Sequence, residues 1–334
     1  MNVRRLIPAA AVTGAIALGL TTLTACSDAG SGKTKDGKLK VMASFYPMQF
    51  LAERIGGDHV SVTGLTKPGV EPHDLEISPK QAAALTEAGL VVYLKGVQPS
   101  VDEAIDQADP KNVAEATSFT TLENHGTAVH GHDHGGKEEH GEEEHGHDEH
   151  GHEEAGHDED AAADPHVWLD PVRYAEVAKG VAKALEKADP DHAADYKKNA
   201  TALVKELGSL DKDFKDGLKK RTSDTFITTH AAFGYLAERY GLEQEAISGL
   251  DPEAEPSPAR IRELHDVAKK DKVDTVFFET LASDKTAKTL AGDLHLKTDV
   301  LDPIEGISDK SKGDDYFGVQ RANLKALQQA LGAK

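Results

Sequence analysis

A single apolar stripe in the middle of the chain constrains the fold most. Seven apolar side chains recur there at steps of three or four residues: Tyr196, Ala200, Leu203, Leu207, Leu210, Phe214 and Leu218. This spacing places them on one face of an α-helix. Asp189 and Pro190 provide an N-cap and a first-turn proline, and at 1.5 Å per residue we predict a helix over 190–221 that is about 48 Å long. A break near Gly208 would give two shorter helices, whereas a continuous helix can join two lobes.

Strands alternate with helices on both sides of this segment. Apolar runs predict strands at 40–46, 60–65 and 90–94 before it and at 225–229, 275–278 and 298–301 after it. Helical patterns are found at 48–55, 79–88, 231–240, 258–270, 283–294 and 316–331. Such alternation is typical of parallel wound sheets. We therefore predict an α/β fold with two wound lobes, residues 40–188 and 223–334, joined by one long rigid helix within 189–222.

The first residues are typical of an exported lipoprotein. Two arginines precede an apolar run at 6–20, which is too short to span a bilayer comfortably and indicates a signal peptide. The Leu-Thr-Ala-Cys sequence that follows resembles a bacterial lipobox, and its Cys26 is the only cysteine of the chain. We expect residues 1–25 to be removed, Cys26 to carry a lipid and residues 26–39 to form a flexible tether. The chain would then be anchored at the outer face of the cytoplasmic membrane.

A histidine-rich acidic segment forms a separate unit at 123–163. It holds ten of the 17 histidines, namely His125, His130, His132, His134, His140, His145, His147, His150, His152 and His157. Fourteen acidic residues and one lysine between 123 and 160 supply −13 of the net charge of −20. So polar a segment cannot bury enough surface to fold, and we predict a disordered loop that binds metal ions weakly; a solvated loop without a function is the alternative. The acidic balance argues against nucleic acid as a partner.

Three other histidines stand close to the ends of predicted elements. His73 follows the strand 60–65, His166 lies beside the only tryptophan just before a helix, and His230 ends the strand 225–229. Asp302 ends the last strand in the same way. Ligands of open α/β sheets bind beyond the carboxyl ends of the strands, and three imidazoles with one carboxylate can hold a tetrahedral Zn²⁺. A lone histidine at the end of a strand is more often a structural residue than a metal ligand. We interpret the four histidines outside these groups as surface residues: His59, His192, His265 and His295.

Six short motifs together resemble the zinc- and manganese-specific solute-binding lipoproteins of ABC transporters. They are Ala-Ser-Phe-Tyr-Pro at 43–47, Pro-Gly-Val-Glu-Pro-His-Asp at 68–74, the acidic histidine-rich insertion, Asp-Pro-His-Val-Trp-Leu-Asp-Pro at 164–171, Thr-His-Ala-Ala-Phe-Gly-Tyr at 229–235 and Leu-Asp-Pro at 301–303. The resemblance implies two α/β lobes joined by a rigid helix. It also implies a metal site in the cleft between the lobes, bound by His73, His166, His230 and Asp302.

The residue at position 230 bears on the identity of the metal. Manganese-binding members of that family carry a carboxylate there, whereas this chain has His230, and imidazole favours zinc. Glu279, at the end of another predicted strand, is either an alternative fourth ligand or a hydrogen-bonding partner of the site. Glu71 and Asp74 either support His73 through hydrogen bonds or only solvate its loop.

The resemblance implies a function in zinc import. We expect a monomeric extracytoplasmic receptor that captures Zn²⁺ and delivers it to an ABC permease in the membrane. The alternatives are a manganese receptor of the same family and a surface zinc reservoir or adhesin. We do not expect an enzyme, because four protein ligands leave no open position for water on the metal, and the nucleophile motif Gly-x-Ser-x-Gly is absent.

Overall fold

The computed structural model of the chain describes residues 32–125 and 163–333. The predicted signal peptide, the predicted lipidation site Cys26 and the nine histidines between 130 and 157 lie outside these ranges. Within the ranges, no helix combines the length and the apolar character needed to cross a bilayer.

Helices and strands alternate along both halves of the described chain. The N-terminal lobe contains β1 (Leu39–Ala43), α1 (Tyr46–Gly56), β2 (Val60–Gly64), α2 (Pro79–Thr86), β3 (Leu90–Tyr93), α3 (Pro99–Ala108), β4 (Val113–Glu115) and α4 (Pro171–Ala188). The connecting helix is α5 (Ala193–Leu218). The C-terminal lobe contains β5 (Thr225–Thr228), α6 (Gly234–Tyr240), β6 (Glu243–Ala246), α7 (Pro258–Lys270), β7 (Thr275–Phe278), α8 (Lys285–Leu294), β8 (Lys297–Val300) and α9 (Tyr316–Ala330).

Each lobe is built on a parallel sheet of four strands. The strand order is β2-β1-β3-β4 in the first sheet and β6-β5-β7-β8 in the second. In the first sheet, Val41 lies opposite both Val62 and Leu90, so β1 is paired on both sides. The central strands β1, β3, β5 and β7 are largely buried. The predicted architecture of two wound α/β lobes is therefore confirmed.

Three elements were not among the predicted ones, each for a physical reason. The strand β6 has the sequence Glu-Gln-Glu-Ala and β4 has three residues. Both lie at an edge of their sheet, where charged side chains and short length are common and a buried apolar run is not needed. The helix α3 fully buries only Val101 and Ile105, and the other apolar positions on that face are the small side chains of Ala104 and Ala108, which make its apolar face inconspicuous in the sequence.

The connecting helix α5 is shorter at both ends than predicted. It follows a 3₁₀ turn at Pro190–His192, and its 26 residues span about 39 Å at 1.5 Å per residue. It is continuous through Gly208, and all seven residues of the apolar stripe are buried. It packs on α1 and α4 of the first lobe and on α6 and α9 of the second. The predicted role of this helix as the connector is confirmed.

The folded chain includes part of the predicted tether. The amide of Lys40 donates to the carbonyl of Gly32 at 2.8 Å. The ammonium of Lys33 donates to the carboxylate of Asp189, just before α5, at 2.8 Å. Residues 32–38 therefore lie against the first lobe.

Aromatic side chains join the two lobes close to the cleft between them. The indole of Trp168, which is fully buried, donates to the carbonyl of Pro303 at 2.7 Å. The hydroxyl of Tyr316 donates to the carbonyl of Trp168 at 2.6 Å, and the ring of Tyr316 packs on that of Tyr174 at 4.7 Å. A wide opening of the cleft would break these buried contacts.

Candidate metal centre

Three imidazoles and one carboxylate converge in the cleft. The Oε1 atom of Glu305 lies 3.4 Å from Nε2 of His73, 3.3 Å from Nε2 of His166 and 3.4 Å from Nε2 of His230. The Nε2 atoms of His166 and His230 are 3.4 Å apart. Donors at about 2.0–2.1 Å from a tetrahedral Zn²⁺ are about 3.3 Å from one another. Four of the six donor–donor distances therefore match those between the ligands of one tetrahedral cation, and all four donor atoms lie within 4.8 Å of one another.

Both lobes contribute to this cluster from the carboxyl ends of their sheets. His73 lies in the loop after β2, and His166 begins a 3₁₀ turn that leads to α4. His230 follows β5, and Glu305 lies in the loop after β8. The side chains of His166, His230 and Glu305 are buried, and that of His73 is 14% exposed. The loop that carries His73 is thus the side of the cluster nearest to solvent.

The carboxylate in the cluster is Glu305 and not the predicted Asp302. The oxygens of Asp302 accept hydrogen bonds from the amide of Ile304 at 2.8 Å and from the hydroxyl of Thr280 at 3.0 Å. Ile304 has a positive φ of 59°, and this left-handed turn brings Glu305 to the three histidines. Asp302 stabilises the turn, and the side chain three residues later occupies the cleft.

Two further carboxylates hold the histidines from behind. Oδ1 of Asp164 lies 2.7 Å from Nδ1 of His166, and Oε1 of Glu279 lies 2.7 Å from Nδ1 of His230. A carboxylate that accepts the Nδ1 proton fixes the tautomer in which Nε2 is free to bind a metal. Of the two roles predicted for Glu279, its position matches the hydrogen-bonding partner of His230 and not the fourth ligand. Asp164 was not among the predicted site residues, although it belongs to the Asp-Pro-His motif.

Glu71 and Asp74 flank His73 but do not join the cluster. The carboxylate of Glu71 accepts a hydrogen bond from the amide of Asp74 at 3.3 Å. Burial and the negative charge of Glu305 raise the pKa of Glu71 to about 7. Glu71 thus stabilises the loop that presents His73.

The cluster binds protons strongly when no cation is present. Burial alone would lower the pKa of His166, but hydrogen bonds to Asp164 and Glu305 outweigh it and raise that pKa. Burial likewise opposes the charge on His230, but Glu279 and Glu305 raise its pKa well above the ordinary value. Burial would raise the pKa of Glu305, yet hydrogen bonds from His166, His230 and His73 hold it well below its usual range. A cation entering the cluster must displace protons from the imidazoles.

The remaining described histidines lie elsewhere. His59 and His192 stack on each other with ring centroids 3.9 Å apart, close to the start of α5. His265 lies on α7, and His295 caps the end of α8. His125 is predicted to lie in the disordered loop, but its ring packs against the ring of Tyr235.

Sequence comparisons identify relatives over nearly the whole chain. Residues 41–330 match the family model described as zinc-uptake complex component A, periplasmic (ZnuA). The high-affinity zinc uptake system protein ZnuA of Bacillus subtilis is 37% identical over 332 residues, which cover 95% of this chain and 98% of that protein. The zinc-binding lipoprotein AdcA of Streptococcus pneumoniae is 39% identical over 313 residues, which cover 92% of this chain. The chain spans only 58% of the length of AdcA.

The fold of a solved structure from the same group of relatives matches the fold of this chain. The crystal structure of Zn(II)-bound AdcA from Streptococcus pneumoniae superposes with a TM-score of 0.69 at 35% sequence identity, covering 88% of this chain and 58% of that one. The motifs, the two lobes and the connecting helix thus agree with the comparisons, and the chain belongs to the ZnuA family of zinc-uptake complex component A proteins.

Proposed function

We propose that the chain is an extracytoplasmic receptor that captures Zn²⁺ and delivers it to an ABC permease in the membrane. The observation that carries this proposal is the convergence of four donor atoms within 4.8 Å of one another in the cleft; they belong to His73, His166, His230 and Glu305. The names of the relatives, a zinc uptake protein and a zinc-binding lipoprotein, support it.

The donor set favours zinc over manganese. Three imidazole nitrogens and one carboxylate oxygen suit Zn²⁺, whereas Mn²⁺ favours sites with more oxygen ligands. Four protein ligands also complete the coordination of Zn²⁺, while a catalytic zinc keeps an open position for water. This donor set supports the proposal of a receptor over that of a zinc hydrolase.

The division of the ligands between the lobes suggests how the ion is released. His73 and His166 belong to the first lobe, and His230 and Glu305 belong to the second, so a bound ion ties the lobes together. The buried contacts between Trp168 and the second lobe oppose a wide hinge motion. His73 is the most exposed of the four and stands on a loop. We infer that the permease releases the ion by displacing the loop of His73, while the lobes move little.

The N-terminus and the histidine-rich segment complete the proposal. Cys26 would carry the lipid that holds the receptor at the outer face of the cytoplasmic membrane, and the relative named as a lipoprotein supports this. The histidines from 130 to 157 would bind Zn²⁺ weakly and raise its concentration near the cleft. The receptor would act as a monomer. Its two lobes would comprise residues 40–188 and 223–334, as predicted from the sequence.

Zinc uptake in cells tests the proposed function. A strain from which the chain has been deleted should grow poorly and accumulate little radioactive zinc when zinc is scarce. The wild-type chain should restore uptake, and His230→Ala should not, although both are exported. If the strain instead loses manganese uptake, the manganese receptor is the correct alternative. If His230→Ala restores zinc uptake fully, the cluster is not the transport site.

Zinc affinity is expected to strengthen as the pH rises. The raised pKa values of His166 and His230 keep protons on these imidazoles above the ordinary value of about 6.5, and Zn²⁺ must displace them. Each displaced proton strengthens the apparent affinity about tenfold per pH unit until the imidazole is neutral. Competitive titration at pH 6, 7 and 8 measures the slope, and calorimetry in two buffers measures the protons released. An affinity that does not change between pH 6 and 8 would contradict these ligands.

A further inference from the structure

A second group of possible metal ligands lies beside the cleft and is not used by the proposed function. Nε2 of His125 lies 3.2 Å from Oε2 of Glu238 and 3.7 Å from Oε2 of Glu123. These separations are close to the spacing of about 3.3 Å expected between two ligands of a tetrahedral Zn²⁺. Glu123 and His125 lie in the first lobe, at the end of the described range 32–125. Glu238 lies on α6 of the second lobe.

Gly234 and Tyr235 hold the ring of His125 in place. A Cβ atom on residue 234 would lie 2.1 Å from Cβ of His125, so only a glycine at this position lets His125 approach. The ring of Tyr235 packs edge-on against the imidazole, with centroids 4.4 Å apart. The hydroxyl of Tyr235 accepts a hydrogen bond from the amide of Glu123 at 2.8 Å. Gly234 and Tyr235, the first two residues of α6, thus fix both the ring and the backbone before it.

This packing leaves Nε2 of His125 directed at the carboxylates of Glu123 and Glu238. Its other nitrogen, Nδ1, lies 3.3 Å from Oδ2 of Asp164, whose side chain is fully buried. Neither this oxygen nor Nδ1 of His125 has a hydrogen-bond partner among the described residues, so the two buried atoms face each other unsatisfied. A proton on Nδ1 would satisfy Asp164 and leave Nε2 free for a cation, which is the arrangement that Glu279 gives His230.

Exposure and charge distinguish this group from the buried cluster. The side chain of Glu238 is 57% exposed and that of Glu123 is 37% exposed, so a cation can reach them from solvent. Arg173 pairs with Oε1 of Glu123 and leaves Oε2 available. Three protein donors also leave one coordination position for water. We expect a weaker and more rapidly exchanging site than the buried one.

We propose that Glu123, His125 and Glu238 form a second divalent-cation site that takes Zn²⁺ at the surface between the lobes. Asp164 connects it to the buried cluster, because one oxygen of Asp164 faces His125 and the other faces His166. The site goes beyond the proposed function and does not depend on it. It would hold a second ion next to the cleft while the first is bound.

The test separates this site from the other histidines of the loop. The full-length chain is first prepared with glutamine at the nine histidines His130, His132, His134, His140, His145, His147, His150, His152 and His157. Calorimetric titration with Zn²⁺ alone should then show two equivalents, of which one is tight. His125→Gln and Glu238→Gln should each weaken the second equivalent at least tenfold and leave the tight one in place. Glu206→Gln, an exposed glutamate on α5, is the matched control and should keep both.

The possible results are distinct. If the chain with the nine histidines replaced by glutamine binds only one equivalent of Zn²⁺, the proposal is overturned. That result would show that a proton on His125 balances the carboxylates instead. Two equivalents that survive His125→Gln would place the second ion elsewhere and would also overturn it. His230→Ala in the same background should remove the tight equivalent and keep the weak one. The absence of any tight equivalent would contradict the proposed function and leave the second site to be judged by its own variants.

Discussion

Replacing His230 by alanine is expected to abolish tight zinc binding. The imidazole supplies one of four donors in a buried cluster, and its loss leaves the carboxylate of Glu279 without the Nδ1–H that lies 2.7 Å away. Removing even a partner that only orients a zinc ligand typically weakens binding by about 10- to 100-fold. We therefore expect the loss of the ligand itself to weaken binding by more than about 100-fold, measured by competition with a chelator of known affinity.

The stability of the fold gives an independent measurement of the same effect. A ligand at 1,000 times its dissociation constant stabilises the folded state by about 4 kcal/mol, so zinc should raise the melting temperature of the wild-type chain strongly. The rise should be much smaller for His230→Ala, because a site weakened 100-fold stabilises the fold by no more than about 1.4 kcal/mol at the same zinc concentration. His230→Gln keeps an N–H donor for Glu279 and controls for misfolding.

A histidine outside the cluster provides the matched control. His265→Ala changes the same residue type on α7 and should leave both the affinity and the zinc-dependent melting temperature unchanged. If His265→Ala and His230→Ala weaken binding equally, the effect is a general loss of stability and the cluster is not the tight site.

The large elements of the fold could be predicted because their signals are local and periodic. The stripe from Tyr196 to Leu218 has one residue for each turn of a helix, and all its members are buried in α5. The edge strand β6 gives no such signal, since its Glu-Gln-Glu-Ala sequence is polar and only its position beside β5 makes it a strand. Pairing with a neighbour far along the chain cannot be inferred from four polar residues.

The same distinction applies to the candidate site. His73, His166 and His230 stand at predicted element ends, and the parallel topology brings such ends together. Asp302 and Glu305 are three residues apart in one loop, and a pattern of residue types cannot separate them. The choice depends on the left-handed turn at Ile304, with a φ of 59°. A β-branched residue rarely adopts that conformation, so the sequence gives no sign of it.

Substitution of the two carboxylates in the loop after β8 is expected to identify the fourth ligand. Glu305→Gln removes the only negative charge among the four donors and keeps the shape of the side chain. A divalent cation would then lie buried among neutral groups, which is costly because a buried charge needs a counter-charge. We expect zinc affinity to fall by at least about 100-fold. The metal-free chain should also melt at a lower temperature, because the protonated imidazoles of His166 and His230 lose the buried counter-charge of Glu305.

Asp302→Asn is the matched variant, since it makes the same chemical change three residues away. The amide oxygen can still accept the hydrogen bond of Ile304, and the amide nitrogen can donate to the hydroxyl of Thr280, so the turn should persist. Zinc affinity should therefore stay within a few-fold of the wild-type value, while the fold loses up to about 1–2 kcal/mol from weaker hydrogen bonds to a neutral group. The reverse order of effects would restore Asp302 as the ligand. It would mean that the loop moves when the ion binds, because Asp302 could reach the three histidines only if the left-handed turn at Ile304 unfolded and Glu305 left the cleft.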